Sequence, residues 1–247
     1  MVLAFAAAFA TSAHAQSYTS GDLLLGFSEA GASNDYVVNL GLASTFTNAS
    51  PGSSFTVSDG NIGADLSSSN LFNSGWASNS SVQFGIVGDS GTTLFFTAPA
   101  GTPALTERAG GTVTSIEGQI ASLGSDFDGQ TIGTANSSVA LIESASGGSS
   151  WASLSDNGGV AFKYTQTSNI VSNTIPSSSV LDLYELVPHS GTSTPGTLLG
   201  DFTLSSGGVL TFQAEGAAAV PEPSTYALMG AGLAVLFWRV RRKTAQA

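Results

Sequence analysis

The apolar residues of this chain come in short runs, and the length of those runs constrains the fold more than any other feature. Between residues 16 and 216 the runs last four to eight residues and are separated by clusters of Gly, Ser, Asn and Pro. Runs of this length bounded by turn residues are typical of β-strands, whereas amphipathic helices usually need about ten or more residues. The chain also holds 30 glycines, which disfavour helix interiors. We therefore expect an all-β fold: an antiparallel β-sandwich or jelly-roll-like domain with at most one short helix.

Nine runs rich in β-branched and aromatic residues are the candidate strands. Apolar and polar residues alternate in the runs at 82–86 and 181–186, which indicates that one face of the sheet is exposed to solvent and favours antiparallel pairing. The loops at 88–91 and 205–208 are short enough to close hairpins. The candidate strands are residues 22–27, 36–42, 81–87, 92–97, 138–142, 160–165, 180–187, 198–204 and 209–212. Two polar stretches, 48–61 and 66–80, are predicted to be long surface loops.

One segment has helical rather than strand periodicity. Its apolar residues lie three or four positions apart: Val113, Ile116, Ile120 and Leu123. This spacing places them on one face of a helix. Thr114 or Ser115 is the candidate N-cap, and Gly124 suits the left-handed position that commonly follows a helix. This is the single short helix that we expect in the domain.

Charge is distributed very unevenly along the chain. The formal net charge is −11, from 17 acidic and six basic residues. Four of the six basic residues lie in the last nine positions, so the rest of the chain is more acidic still. Such a domain would be repelled by a phosphate backbone, and we expect no nucleic-acid partner. The sequence has no cysteine, which excludes disulfides, thiol catalysis and thiolate metal sites.

The N-terminus has the pattern of a secretory signal peptide. Residues 2–10 are apolar, and Ala13, His14 and Ala15 form the small-x-small pattern that precedes a signal-peptidase site. We therefore expect signal peptidase to remove residues 1–15. The mature chain would begin at Gln16 and form an extracytoplasmic β-rich domain over residues 16–216.

The C-terminal segment, residues 217–247, has three parts in a fixed order. Residues 220–225 read Val-Pro-Glu-Pro-Ser-Thr, residues 226–238 are apolar, and residues 239–247 begin with a basic cluster. As a helix the apolar part would span about 20 Å, which is less than the roughly 30 Å thickness of the bilayer core. We therefore expect a single transmembrane helix that is unusually short. The two prolines keep this helix from extending backwards. The basic end belongs on the cytoplasmic side, which leaves the acidic domain outside the inner membrane.

This tail resembles the PEP-CTERM sorting signal, in which a Pro-Glu-Pro motif, a short transmembrane helix and an Arg-rich end follow one another. The resemblance implies recognition by an exosortase, a membrane cysteine transpeptidase-like enzyme of Gram-negative bacteria whose genes usually accompany exopolysaccharide production. It also implies that the tail is cut off and that the domain is released or handed to the cell envelope, surface or extracellular matrix. The motif residues are Val220, Pro221, Glu222, Pro223, Ser224 and Thr225, and the residues that set the membrane topology are Arg239, Arg241, Arg242 and Lys243.

The domain itself is similar to a family of exported bacterial proteins that carry this tail. The similarity lies in residues 21–27 with Asp35 and Tyr36 near the start, and in residues 179–186 with 199–202 near the end. It implies export but no activity.

Residues able to support catalysis are sparse. His14 is lost with the signal peptide, which leaves His189 alone in a predicted loop. The Gly-Asp-Ser-Gly sequence at 88–91 matches the nucleophile motif of chymotrypsin-like proteases, but the only mature histidine follows it, whereas in that family the histidine comes first. We interpret 88–91 as a hairpin turn. No nucleophile elbow, P-loop or Rossmann fingerprint occurs, and we predict that the chain is not an enzyme.

The only candidate cation site is the Asp-Phe-Asp-Gly sequence at 126–129. Asp126 and Asp128 could offer carboxylate oxygens to Ca²⁺, but the twelfth position of an EF-hand loop counted from Asp126 is Ser137 instead of Glu. We therefore predict no cofactor, with a looser Ca²⁺ site near Asp126 and Asp128 as the open alternative and a solvated Asp-Gly turn as the simpler interpretation.

These features predict an exported, exosortase-sorted protein with a structural or interaction role, linked to exopolysaccharide or biofilm. Two other functions stay open. The domain could be a lectin-like polysaccharide-binding module if Trp76 and Trp151 are exposed for stacking on sugar rings and do not cover the core. It could also be a secreted hydrolase that uses paired carboxylates.

Overall fold

The computed structural model describes residues 18–57, 61–79, 81–101, 103–107, 110–126, 140–146, 148–155, 178–189 and 194–216. These residues form nine strands, four α-helices and one 3₁₀ turn. The strands are β1 (Asp22–Glu29), β2 (Asn34–Leu42), β3 (Ser54–Val57), β4 (Val82–Ser90), β5 (Thr93–Pro99), β6 (Ala140–Ser144), β7 (Ser178–Leu186), β8 (Thr197–Ser205) and β9 (Leu210–Ala214). The helices are α1 (Ser44–Thr47), α2 (Ile62–Leu66), α3 (Gly110–Ser125) and α4 (Trp151–Ser155), and the 3₁₀ turn is Trp76–Ser78.

The strands form one antiparallel sheet in the order β3-β9-β8-β7-β5-β4-β1-β2-β6. Every neighbouring pair is antiparallel. The predicted all-β, antiparallel class is therefore confirmed. A sandwich divides its strands between two sheets, whereas these strands are hydrogen-bonded in a single row and the described helices and loops cover its faces.

Most candidate strands coincide with observed ones. Seven of them match β1, β2, β4, β5, β7, β8 and β9 to within a few residues, and the run at 138–142 overlaps β6 from Ala140 onwards. The candidate at 160–165 lies outside the described residues. Both predicted hairpins are present, as β4–β5 and β8–β9. The stretch 48–61, predicted to be a loop, contains the additional strand β3, which pairs with β9.

One face of the sheet is covered by the chain between β2 and β4. Phe46 of α1 is buried and packs against Phe202 and Phe212, with ring centroids 5.3 and 5.1 Å apart. Phe55 of β3 extends this aromatic group at 5.5 Å from Phe212. Aromatic packing of this kind anchors the β8–β9 end of the sheet to the α1 segment.

The opposite face is covered by α3 and α4. Alternate residues of β1 divide between the two faces, so that Leu23 and Leu25 join the first core cluster and Leu24 joins the second. Gly26 also faces α4. A Cβ atom on Gly26 would lie 1.9 Å from the Trp151 ring, so the indole fills the space that this glycine leaves open.

The predicted helix is α3, and the described residues also form three helices of four or five residues, where at most one helix in all is expected from the sequence. The ends of α3 differ from those that the sequence indicates. The four apolar residues of the predicted face are all buried, as expected. The helix begins at Gly110, however, so Thr114 and Ser115 lie inside it and do not cap it; the Thr114 hydroxyl donates to the Gly110 carbonyl one turn earlier. Gly124 is the penultimate helical residue, where it makes room for the Tyr18 ring.

No helix within the described ranges is both long enough and apolar enough to cross a membrane. The predicted transmembrane segment, 226–238, lies outside those ranges. The chain divides into two compact units, Met1–Glu215 and Gly216–Ala247. The nine strands all belong to the first unit.

Candidate functional site

The sheet ends immediately before the sorting motif begins. Ala214 is the last residue of β9, the Glu215 amide donates to the Leu199 carbonyl, and the Glu215 carbonyl accepts from Gly52. The motif residues 220–225 and the basic residues 239–243 come later and lie outside the described residues. Removal of the chain from the motif onwards would therefore take no described strand with it.

The other end of the domain is fixed close to the predicted signal-peptidase site. The Tyr18 hydroxyl donates to Asp89 Oδ1 at 2.6 Å, and the Ser20 hydroxyl donates to Asp89 Oδ2 at 3.1 Å. Burial, followed by the contact with Asp89, raises the pKa of Tyr18. Tyr18, the first described residue, is thus anchored two positions after the predicted mature start at Gln16.

The protease-like sequence at 88–91 lies at a hairpin, as predicted, but residues 88–90 form the end of β4 and pair with β5, so that only Gly91 belongs to the turn itself. Ser90 ends β4, Gly91 has a φ of +62°, and β5 starts at Thr93. Asp89 is buried and holds the N-terminal segment through Tyr18 and Ser20. This carboxylate therefore has a structural role in the domain.

Both tryptophans of the domain are buried. Trp76 is 3% exposed and donates from its indole nitrogen to the Ser67 hydroxyl at 3.1 Å, while Trp151 is 1% exposed. Neither ring presents a face to solvent. The stacking role on which the lectin-like alternative rested is therefore wrong for these two residues, and they belong to the core.

The alternative Ca²⁺ site near Asp126 and Asp128 lies partly outside the described residues. Asp126 follows α3 and accepts a hydrogen bond from the Ser149 hydroxyl at 3.1 Å, whereas residues 127–130 lie outside the described ranges. Within the described parts of the chain, no group of three or more His, Cys, Asp or Glu side chains could hold a metal ion. His189 lies shortly after β7.

The described residues contain 13 of the 17 acids and none of the six basic residues of the sequence. Four of these acids, Asp22, Asp35, Asp65 and Asp89, are buried. Amide and hydroxyl donors serve them: the Tyr36 hydroxyl donates to Asp65 at 2.8 Å, and the Asn39 amide donates to Asp22 at 2.8 Å. Uncharged donors can satisfy a buried carboxylate, but they leave its negative charge uncancelled.

Two carboxylates on neighbouring strands together cap helix α4. Asp35 of β2 lies opposite Glu143 of β6. The Ala152 amide donates to Asp35 at 2.6 Å, and the Trp151 amide donates to Glu143 at 2.7 Å. Burial and the nearby Asp35 and Asp126 charges raise the pKa of Glu143 to about 8, although its bond with Trp151 opposes the shift. The arrangement fixes Trp151 over Gly26.

A second pair of carboxylates lies across β7 and β8. Asp182 and Asp201 are directly opposite each other, and their side chains are hydrogen-bonded. Burial, the bond with Asp182 and the charges of Asp182 and Glu215 raise the pKa of Asp201 to about 6. Retaining glycosidases hold their two carboxyl groups about 5–5.5 Å apart, further than a direct hydrogen bond allows. The pair is therefore better suited to sharing a proton than to flanking a glycosidic bond.

No local sequence pattern indicates either pair of carboxylates. Asp35 and Glu143 are 108 positions apart in the sequence, and only the register of β2 against β6 brings them together. Asp182 and Asp201 lie in predicted strands, but their pairing depends on a register shift between Leu183 and Tyr184. No local pattern indicates such a shift.

Comparison with known proteins supplies the remaining observation. A family model of the PEP-CTERM protein-sorting motif matches residues 219–243. The chain carries a PEP-CTERM sorting signal. The match covers the predicted motif, the apolar segment and the basic residues, so the chain is an exported substrate of an exosortase. No curated protein and no solved structure matches it. The PEP-CTERM match concerns the tail alone and gives no information on the β-domain.

Proposed function

We propose that this PEP-CTERM protein delivers its acidic β-domain to the cell surface or extracellular matrix, where the domain has a structural or interaction role linked to exopolysaccharide and no catalytic activity. The sorting motif at residues 219–243 is the observation that carries the proposal. Export and processing by exosortase follow from the motif, and the destination and role of the domain are the proposed steps.

The organisation of the domain supports delivery as an intact unit. Its described strands are complete at Ala214, before the matched segment starts at residue 219. Near the other end, Tyr18 and Ser20 fix the chain just after the predicted signal-peptidase site. Both cuts would therefore fall outside the described sheet, and the mature domain would keep its core.

The two alternative functions gain no specific support. Burial of Trp76 and Trp151 removes the aromatic platform proposed for a lectin-like site. The hydrogen-bonded pair of Asp182 and Asp201 does not have the spacing of a retaining glycosidase. A structural or interaction role requires neither feature.

The sorting step is tested by changing Pro221, Glu222 and Pro223 together to Ala in an exosortase-positive host. The prolines restrict the backbone ahead of the apolar segment, and the glutamate offers a charged contact, so the variant should remain unprocessed and membrane-bound. Mass spectrometry should show that the wild type has lost Arg241 and Arg242. A control with Ala217 and Ala218 changed to Ser should be processed like the wild type.

Equal processing of the wild type and the triple variant would refute the sorting step. Retention of Arg241 and Arg242 in the mature envelope fraction would also refute the sorting step. The C-terminal segment would then be a plain membrane anchor. The link to exopolysaccharide has a separate test. In a host that cannot make exopolysaccharide, the processed domain should shift from the matrix fraction to the medium, and an unchanged distribution would contradict the link.

A further inference from the structure

A polar cleft opens beside the turn between β1 and β2. One wall is the turn itself, from Glu29 to Asn34, and the other is the segment 69–71 that follows α2. The cleft has a volume of about 430 Å³. This lies within the roughly 300–1,000 Å³ range of small-molecule sites, although its lining is more polar than is usual for them.

Hydrogen bonds hold both walls in place without a ligand. The Asn34 side-chain amide donates across the cleft to the Asn70 carbonyl at 2.9 Å. The Ala32 amide donates to the Glu29 carbonyl at 2.9 Å and closes the turn, and the Ala145 amide donates to Ser33 at 3.0 Å. A cleft that is already ordered loses little entropy on binding.

The turn leaves the mouth of the cleft open because Ala30, Gly31 and Ala32 have no side chain large enough to fill it. Glu29 supplies the charge. Within the described residues its carboxylate accepts one side-chain hydrogen bond, from the Asn79 amide to Oε1 at 2.7 Å, which leaves Oε2 for a ligand. Hydroxyl and amide groups of Ser33, Ser69 and the Asn34 side chain complete the lining.

We propose that this cleft binds a hydroxylated primary amine in its ammonium form, a class to which amino sugars belong. An ammonium group pairs with the Glu29 carboxylate in a charge-assisted hydrogen bond, and hydroxyl groups match the amides and hydroxyls of the walls. The lining contains no aromatic ring to hold a flat apolar ligand. The described residues include thirteen acids and no Lys or Arg. The resulting negative potential attracts cations and repels anions.

Isothermal titration calorimetry on the full-length chain in detergent tests the proposal with a matched pair of ligands, glucosamine and N-acetylglucosamine. Acetylation removes the ammonium charge and keeps the ring hydroxyls. At a pH where the amine is protonated, glucosamine should bind at least about tenfold more tightly, as expected for a hydrogen bond between charged groups. Because unprocessed chain is used, the result does not depend on the sorting signal.

Two variants locate the site. Glu29→Gln should remove the preference for glucosamine, and Ala30→Phe should weaken binding by obstructing the mouth without a change in charge. Glu185→Gln removes one negative charge from β7, outside the cleft, and should leave the affinity within about twofold of the wild type. Circular dichroism establishes that each variant folds.

Three results would overturn the proposal. The first is absence of saturable glucosamine binding, and the second is equal affinity for the two sugars. The third is an equal loss of affinity in Glu29→Gln and Glu185→Gln, which would assign binding to the overall negative charge of the domain.

Discussion

Gly26 provides the space in which the Trp151 ring packs on β1. Since a Cβ atom there would lie 1.9 Å from the ring, Gly26→Ala must displace the indole, and it should destabilise the domain by roughly 1–3 kcal/mol. Gly118 is the matched control, because it is exposed on α3 and, apart from the backbone of its own helix, no atom lies within 4 Å of its Cβ position. Gly118→Ala should stabilise the domain by about 0.5–1 kcal/mol through helix propensity.

Urea unfolding followed by circular dichroism measures both changes. The two substitutions add the same methyl group, so opposite changes in the free energy of unfolding would come from the positions of the two glycines. A Gly26→Ala protein as stable as the wild type would contradict the packing of Trp151 described above.

For single residues, the sequence predicts burial and turn positions better than it predicts which residues are in contact. It identifies the apolar face of α3 and the hairpin that follows Asp89, because these depend on local spacing. It does not place Gly124 against Tyr18, since that contact joins residues more than 100 positions apart. Burial of Trp151 likewise depends on a glycine in a distant strand.

Helix α4 illustrates how an element can depend on protonation. The pKa of Glu143 is raised to about 8 in the folded domain, above the value of 4.5 expected when it is unfolded. The folded state therefore binds the proton more tightly, so this stabilising contribution is complete below about pH 4.5 and is lost as pH rises through 8. Glu143→Gln, which can still accept from the Trp151 amide, should be more stable than the wild type at pH 8.5 by roughly 4–5 kcal/mol and similar at pH 4.5.

Denaturant unfolding across this pH range measures the difference in the free energy of unfolding between the two proteins. The contributions of the other titrating groups are common to both proteins and cancel in this difference. Glu185→Gln is the control for loss of one charge and should follow the wild-type pH dependence. A constant difference between wild type and Glu143→Gln at all pH values would show that Glu143 does not titrate in this range.

Among the elements, the strands rich in apolar residues were predictable, whereas the short edge strand β3 was not. Strands β1, β4 and β7 carry enough apolar residues to be identified from the sequence. Strand β3 has only four residues within a polar stretch, and its identity as a strand comes from pairing Phe55 with Phe212 of β9. Propensity is weak over four residues, so tertiary pairing decides the structure there.

For the whole molecule, the order of charge along the chain predicts its membrane topology before processing. The described domain lacks basic residues, and four lie after the apolar segment, so the C-terminus should start in the cytoplasm. Alkaline phosphatase fused after Ala247 should be inactive in a host without exosortase, and the same enzyme fused after Glu215 should be active. Full activity of the first fusion would contradict the topology.

The absence of Lys and Arg from the described sheet also affects how long such a protein survives outside the cell. Proteases of trypsin-like specificity cut after those residues, and between Gln16 and the sorting motif the sequence offers them only Arg108 and Lys163. Both residues lie outside the described ranges. A domain delivered to a surface rich in secreted proteases would thus be cut by this class at two points at most, and complete tryptic digestion would release only three long fragments.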